Sequence, residues 1–233
     1  MHEQGRDGEG PLGPPKGEPG RPLIEASALF LAFYLASYIF AGSSPDMLSK
    51  PGYHLAATAV NLPRAVLLLY LMAAGDGLRA FSVFPIRPKD SVRGLLCSLG
   101  AFAVMLVPDL LFSALGVQND FLVRARSGPR GAIALAPLIL VSSMATGYCE
   151  ELFFRAYLLR RLGQAGVSPI WAAIASAILF GMGHGYQGII GLSSGGLLGL
   201  FFAWRWNEAK NIHEIAIGHG LFDAAVFSLA LYS

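Results

Sequence analysis

The chain has 233 residues, 54% of them hydrophobic and 14% charged, with a net charge of +2. A soluble domain carries about 25% charged residues, so the composition excludes an ordinary soluble domain, and the small net charge gives no footing for a nucleic-acid partner. The apolar residues come in long blocks, which points to an all-α, polytopic membrane helical bundle set in a lipid bilayer. Cys97 and Cys149 lie inside apolar blocks without a metal-type spacing and are expected as buried free thiols.

Residues 1–22 are rich in Gly, Pro and charge and lack the apolar h-region of a signal peptide. They are expected to form a disordered polar tail ahead of a membrane domain over 23–233. Seven apolar segments follow, at about Leu23–Ala41, His54–Ala74, Gly94–Val117, Ala132–Leu162, Ser168–Gly185, Ile189–Trp206 and Ile212–Tyr232. Most are near the roughly 20 residues that span a bilayer. The fourth is longer, and a break at Gly147 would divide it, so seven or eight helices are expected. In lipid the backbone polar groups must be satisfied within each segment, which makes these spans helices rather than strands. Small residues at Ala172–Ala177 and Gly191–Gly199 predict close helix contacts. Trp204 and Trp206 are expected as interfacial belt residues, His213 as interfacial, and His54 and Asp109 as local polar or helix-end groups.

Basic residues favour an internal N-terminus: Arg79, Arg87, Lys89, Arg93, Arg160, Arg161, Arg205 and Lys210 then fall inside. Arg124, Arg126 and Arg130 fall outside and oppose that orientation.

The informative stretch is Gly147-Tyr148-Cys149-Glu150-Glu151-Leu152-Phe153-Phe154-Arg155. Charge inside a membrane costs at least about 2.5–3.5 kcal/mol per group, so ionisable groups there are functional candidates. Glu151 and Arg155 are i,i+4 neighbours on a helix and can pair. Glu150 sits about 100° round the helix and must face something else. His184 is its expected counterpart. The turn Gly163–Pro169 makes a helical hairpin in which both lie 17 residues from Val167, and equal rise puts them at equal depth, about 25 Å from the turn. With Arg160 and Arg161 inside, that depth is towards the outer leaflet. A carboxylate and an imidazole at one level can hold and deprotonate a water. The last span adds His219 and Asp223, which share a helix face.

These residues resemble the CPBP family, the CAAX prenyl endopeptidases and their bacterial bacteriocin-processing or sorting-type relatives. The motifs stand here as Glu150-Glu151-x-x-x-Arg155, Phe180-x-x-x-His184 and His219-x-x-x-Asp223, within about Thr146–Ala225. The resemblance implies an intramembrane endopeptidase acting on a membrane-associated protein or peptide. By position, Glu150 would be general base with His184 assisting. His219 and Asp223 would stabilise the oxyanion, and Glu151 and Arg155 would support the site. The family often has asparagine where Asp223 stands, and a carboxylate is a poor oxyanion donor unless protonated or paired. No cofactor is required by this reading. It leans to a glutamate-activated water, with a zinc-dependent form as the alternative. A proton- or ion-coupled transporter and a non-catalytic scaffold are the readings from other classes. They differ in geometry: a protease needs its groups around one water, whereas a pathway strings them through the membrane. The expected location is a multi-pass integral membrane protein, in the plasma (inner) membrane if the host is bacterial.

Overall fold

A computed structural model describes residues 20–39, 45–117 and 133–232. The expected tail up to residue 19 and the loop with Arg124, Arg126 and Arg130 lie outside the described residues. Among those described there are seven helices and no strand. They are α1 (Arg21–Ile39), α2 (Pro51–Ala74), α3 (Pro88–Ala114), α4 (Ile133–Gln164), α5 (Pro169–Gly183), α6 (Gly188–Ala209) and α7 (Ile212–Tyr232). Five of them, α2, α3, α4, α6 and α7, are long and apolar enough to cross a membrane. The fifth helix is the short one, at 15 residues.

Proline opens α2, α3 and α5, where its missing N–H is no loss and its fixed φ suits the first turn. Asp90 accepts a hydrogen bond from the Arg87 backbone N–H at 2.8 Å and caps α3. The α4–α5 turn closes as a Schellman motif. Gly166 takes φ +85 and the Val167 N–H reaches back to the Leu162 carbonyl at 3.0 Å.

The fourth helix runs on through Gly147 without a break. Ala136–Glu151 is α-helical, Leu152–Leu158 is a π-helical turn, and Leu159–Gln164 is α-helical again. Gly147 serves packing instead. A Cβ there would lie 2.8 Å from the Ala216 carbonyl oxygen and 2.8 Å from the Gly220 nitrogen. The α4 and α7 backbones therefore touch one turn from Glu150, Glu151 and His219. Gly147→Val meets backbone rather than a flexible side chain, so overpacking should lower stability by about 1–3 kcal/mol. The check is thermal unfolding in detergent, and an unchanged unfolding temperature would contradict this close contact.

The main packing is α4 on α7 and α2, α3 on α7, and α5 on α6. Phe30, Phe33 and Tyr34 of α1 meet Phe153 and Phe154 of the π segment, with ring centroids 5.1–6.4 Å apart. Glycine contacts close the α5–α6 seam, as the small residues predict. A Cβ at Gly181 would lie 2.8 Å from the Gly196 nitrogen, and one at Gly199 3.0 Å from the Ala177 Cα.

The helices alternate in direction, which gathers the basic residues at one end. There Asp76 pairs with Arg160 at 3.0 Å and accepts a hydrogen bond from Gln164 at 2.8 Å, while Glu25 pairs with Arg161 at 3.2 Å. Burial pushes the Asp76 carboxyl up, but the Gln164 and Arg160 hydrogen bonds and both arginine charges outweigh it, leaving the group below its usual range.

One side chain differs from expectation. Trp206 is buried, with Lys210 over its ring at 5.4 Å, so it belongs to the core rather than to a belt. His213, at the start of α7, bonds to Tyr148 at 3.0 Å and to the Phe84 carbonyl at 2.6 Å. His54, in the first turn of α2, makes the expected local polar contact, with the Leu48 carbonyl at 2.9 Å, and being fully buried it also reaches Ser142 of α4 at 2.9 Å.

Candidate active site

The candidate residues come from α4, the end of α5 and α7. Glu150, His184, His219 and Asp223 line one cavity of about 690 Å³. The cavity lies toward the end where α2 starts and α5 stops, away from the Arg160–Arg161 turn, and Asp109 of α3 also borders it. His184 follows directly on the last residue of α5. The hairpin thus brings it to the cavity that Glu150 borders from α4.

His219 is the hub. Its Nδ1 lies 2.9 Å from Glu151 Oε1, and its Nε2 lies 3.5 Å from Asp223 Oδ2 and 3.8 Å from Glu150 Oε2. Arg155 Nε is 3.2 Å from Glu151 Oε2, and both side chains are fully buried. A carboxylate held by a guanidinium is an acceptor, so the imidazole donates from Nδ1 to Glu151. Nε2 is thereby aimed at Asp223 and the cavity. Arg155 also donates to Ser176 Oγ at 3.2 Å, and Ser176 donates to the Phe154 carbonyl at 3.0 Å. That carbonyl lies in the π turn, a distortion that often marks functional sites. Glu150 Oε2 is buried and has no hydrogen bond to a described residue.

His184 Nδ1 donates to the Phe180 carbonyl at 3.0 Å, which leaves Nε2 as the other ring nitrogen. A Cβ at Gly195 would come within 3.0 Å of this ring, so glycine on α6 is what lets the imidazole lie there. Phe180 is nearly fully buried. Its ring lies 4.9 Å from that of His184 and 5.7 Å from that of His219, with the Arg155 guanidinium 5.0 Å above it. The motif phenylalanine is therefore the floor between both imidazoles and the arginine.

The structure forms the expected Glu151–Arg155 pair and gathers the other four candidates at one cavity. Sequence reasoning did not find the Glu151–His219 hydrogen bond. It also missed Phe202, which stacks on His219 with centroids 5.0 Å apart, and the cavity positions Tyr34 and Arg64 on α1 and α2. No local spacing signals any of these. As to zinc, no three His, Cys, Asp or Glu side chains among the described residues form a metal-holding group.

Neither the curated proteins nor the solved structures gave a match to this chain. One family model does match, described as type II CAAX prenyl endopeptidase Rce1-like, over residues 132–225. That segment runs from the start of α4 into α7 and contains all three motifs. Residues 132–225 of this helical membrane protein thus carry an Rce1-like domain of the type II CAAX prenyl endopeptidase family, the one its motifs resemble.

Proposed function

We propose that this protein is an endopeptidase that hydrolyses a peptide bond in a membrane-associated protein or peptide by means of a glutamate-activated water. The observation that carries the proposal is convergence. Glu150, His184, His219 and Asp223 come from three separate parts of the chain to one cavity, with His219 Nε2 3.8 Å from Glu150 and 3.5 Å from Asp223, which favours groups acting on one water over groups strung through the membrane.

In this mechanism Glu150 takes a proton from a cavity water while His184 Nε2 accepts a hydrogen bond from the same water and orients it. The hydroxide attacks the carbonyl carbon, and the resulting oxyanion needs a donor. With Nδ1 already given to Glu151, His219 can offer a proton from Nε2 only as imidazolium. Glu151 and Asp223 are placed to hold that charge, at 2.9 and 3.5 Å. Asp223 then serves by pairing with His219 rather than as an oxyanion donor. Collapse of the intermediate passes the proton from Glu150 to the leaving amine. Glu151 and Arg155 are positioning residues for His219. No step is routed through a metal.

The chain divides into a polar tail and a protease domain that begins with α1 at Arg21, two residues before the boundary at Leu23 that the sequence suggests. The positive-inside asymmetry places the Arg160–Arg161 turn in the cytoplasm. The cavity, nearer the other end of the bundle, then faces outwards, at the plasma membrane in a bacterial host.

The experiment uses purified protein in detergent with a set of fluorescence-quenched lipopeptides, comparing wild type with His184→Ala and Asp223→Asn. Loss of the orienting imidazole should lower kcat/KM by about 10²–10⁴-fold, as for other acid–base groups. Asp223→Asn should act more weakly and shift the pH profile, because it alters the charge beside His219. Full activity in His184→Ala would refute the mechanism.

A further inference from the structure

The cavity contains a cation for which the proposed mechanism has no use. Arg64 is the one arginine or lysine among the described residues that line it. Its guanidinium carbon lies 5.5 Å from the centroid of the Phe33 ring. Among the described residues it forms no hydrogen bond and no ion pair, whereas Arg155, Arg160 and Arg161 each have a carboxylate partner. Its height can be read from a neighbour. Asn61 of α2 donates to Thr146 of α4 at 2.9 Å. Both helices run from the cavity towards the basic end. One turn further along each, Arg64 on α2 stands level with Glu150 on α4.

A guanidinium keeps its charge and offers five N–H donors in a planar fork that matches a carboxylate. One aromatic face satisfies the charge only in part. Asp223 and Glu151 are already engaged with His219, and Glu150 is not within ion-pair distance of Arg64, so no carboxylate of the site neutralises it by contact. What the position lacks is an anion brought from outside. Since it stands level with Glu150, that anion must lie within a few residues of the bond being cut.

Resting on the endopeptidase reading, we propose that Arg64 is a specificity-determining residue that receives a carboxylate of the substrate beside the scissile bond. The carboxylate could belong to the substrate's C-terminus or to an Asp or Glu side chain, and the same fork serves both.

The test measures binding as well as cleavage, using full-length protein in detergent. Three lipopeptides share one sequence: a free C-terminal acid, its C-terminal amide, and the amide with a glutamate in the last three positions. Wild type should bind the free acid about 10- to 100-fold more tightly than the amide, the range for hydrogen bonds to a charged group. Recovery of affinity by the glutamate peptide would assign the carboxylate to a side chain, and no recovery would assign it to the terminus. Arg64→Gln should abolish the preference between acid and amide, and Arg64→Lys should restore part of it. Thermal unfolding of each variant reports folding, and the preference within wild type needs no variant.

Equal affinity of wild type for all three peptides would overturn the proposal. So would an equal loss for all of them in Arg64→Gln, which would leave Arg64 as a neighbour of Glu150 only. A carboxylate preference without cleavage of any peptide would instead sink the endopeptidase reading and leave Arg64 as a carboxylate site.

Discussion

Glu150→Gln should lower kcat/KM on the lipopeptides by about 10²–10⁴-fold, the range for loss of a general base, with the fold intact. Glutamine keeps the shape of the side chain and removes its ability to take a proton. Because Glu150 Oε2 makes no hydrogen bond to a described residue, the exchange leaves few partners orphaned. The closest charged neighbour is His219 Nε2 at 3.8 Å, which retains Asp223 and Glu151. Activity and stability should therefore separate: cleavage falls while the thermal unfolding temperature stays near that of wild type. Undiminished cleavage would eliminate Glu150 as base. A transporter or scaffold would show no cleavage in either protein, which also distinguishes those classes.

Arg155→Ala should separate nothing. It is expected to lower stability by about 3–5 kcal/mol, as for one partner removed from a buried ion pair, and to lower activity with it. Glu151 is fully buried, so the loss strands a carboxylate without its cation. The Phe180 ring, 5.0 Å below the guanidinium, and Ser176 Oγ at 3.2 Å lose their contacts too. The double variant Glu151→Leu, Arg155→Met discriminates between structure and chemistry. Replacing a buried pair by apolar residues of similar volume is often neutral for stability, so most of the stability should return. Activity should not, because His219 Nδ1 has then lost its acceptor. Thermal unfolding and lipopeptide cleavage, measured on all three proteins, check both halves. An Arg155→Ala protein with normal stability and activity would show that the pair supports neither.

Features that depend on near neighbours in the chain were legible from the residues alone. The helical class follows from lipid, where each segment must bond its own backbone, and the helices α2 to α7 match the predicted spans closely. The Glu151–Arg155 pair was legible because an i,i+4 relation is a property of one helix. That Glu150 and His184 come to one cavity was legible because a short turn couples the two arms of a hairpin, but the imidazole beside Glu150 is that of His219, and the π-helical turn in the α4 arm departs from the equal rise that residue counting assumes.

Features that join distant parts of the chain came only from how the helices pack. His219 bonds to Glu151 across 68 residues of chain, and this depends on how α7 is rotated and how closely it meets α4. That closeness is set by Gly147 and Gly220, whose missing side chains look the same in sequence whether they break a helix or pack it. Trp206 illustrates the same limit. An aromatic residue near a span end reads as a belt residue, yet the rotation of α6 turned it into the core while leaving Trp204 exposed. Arg64 reaches the cavity because α2 packs on α4. Periodicity describes one helix at a time, whereas a site made from several helices is fixed by their mutual register, which comes from packing between residues far apart in the chain.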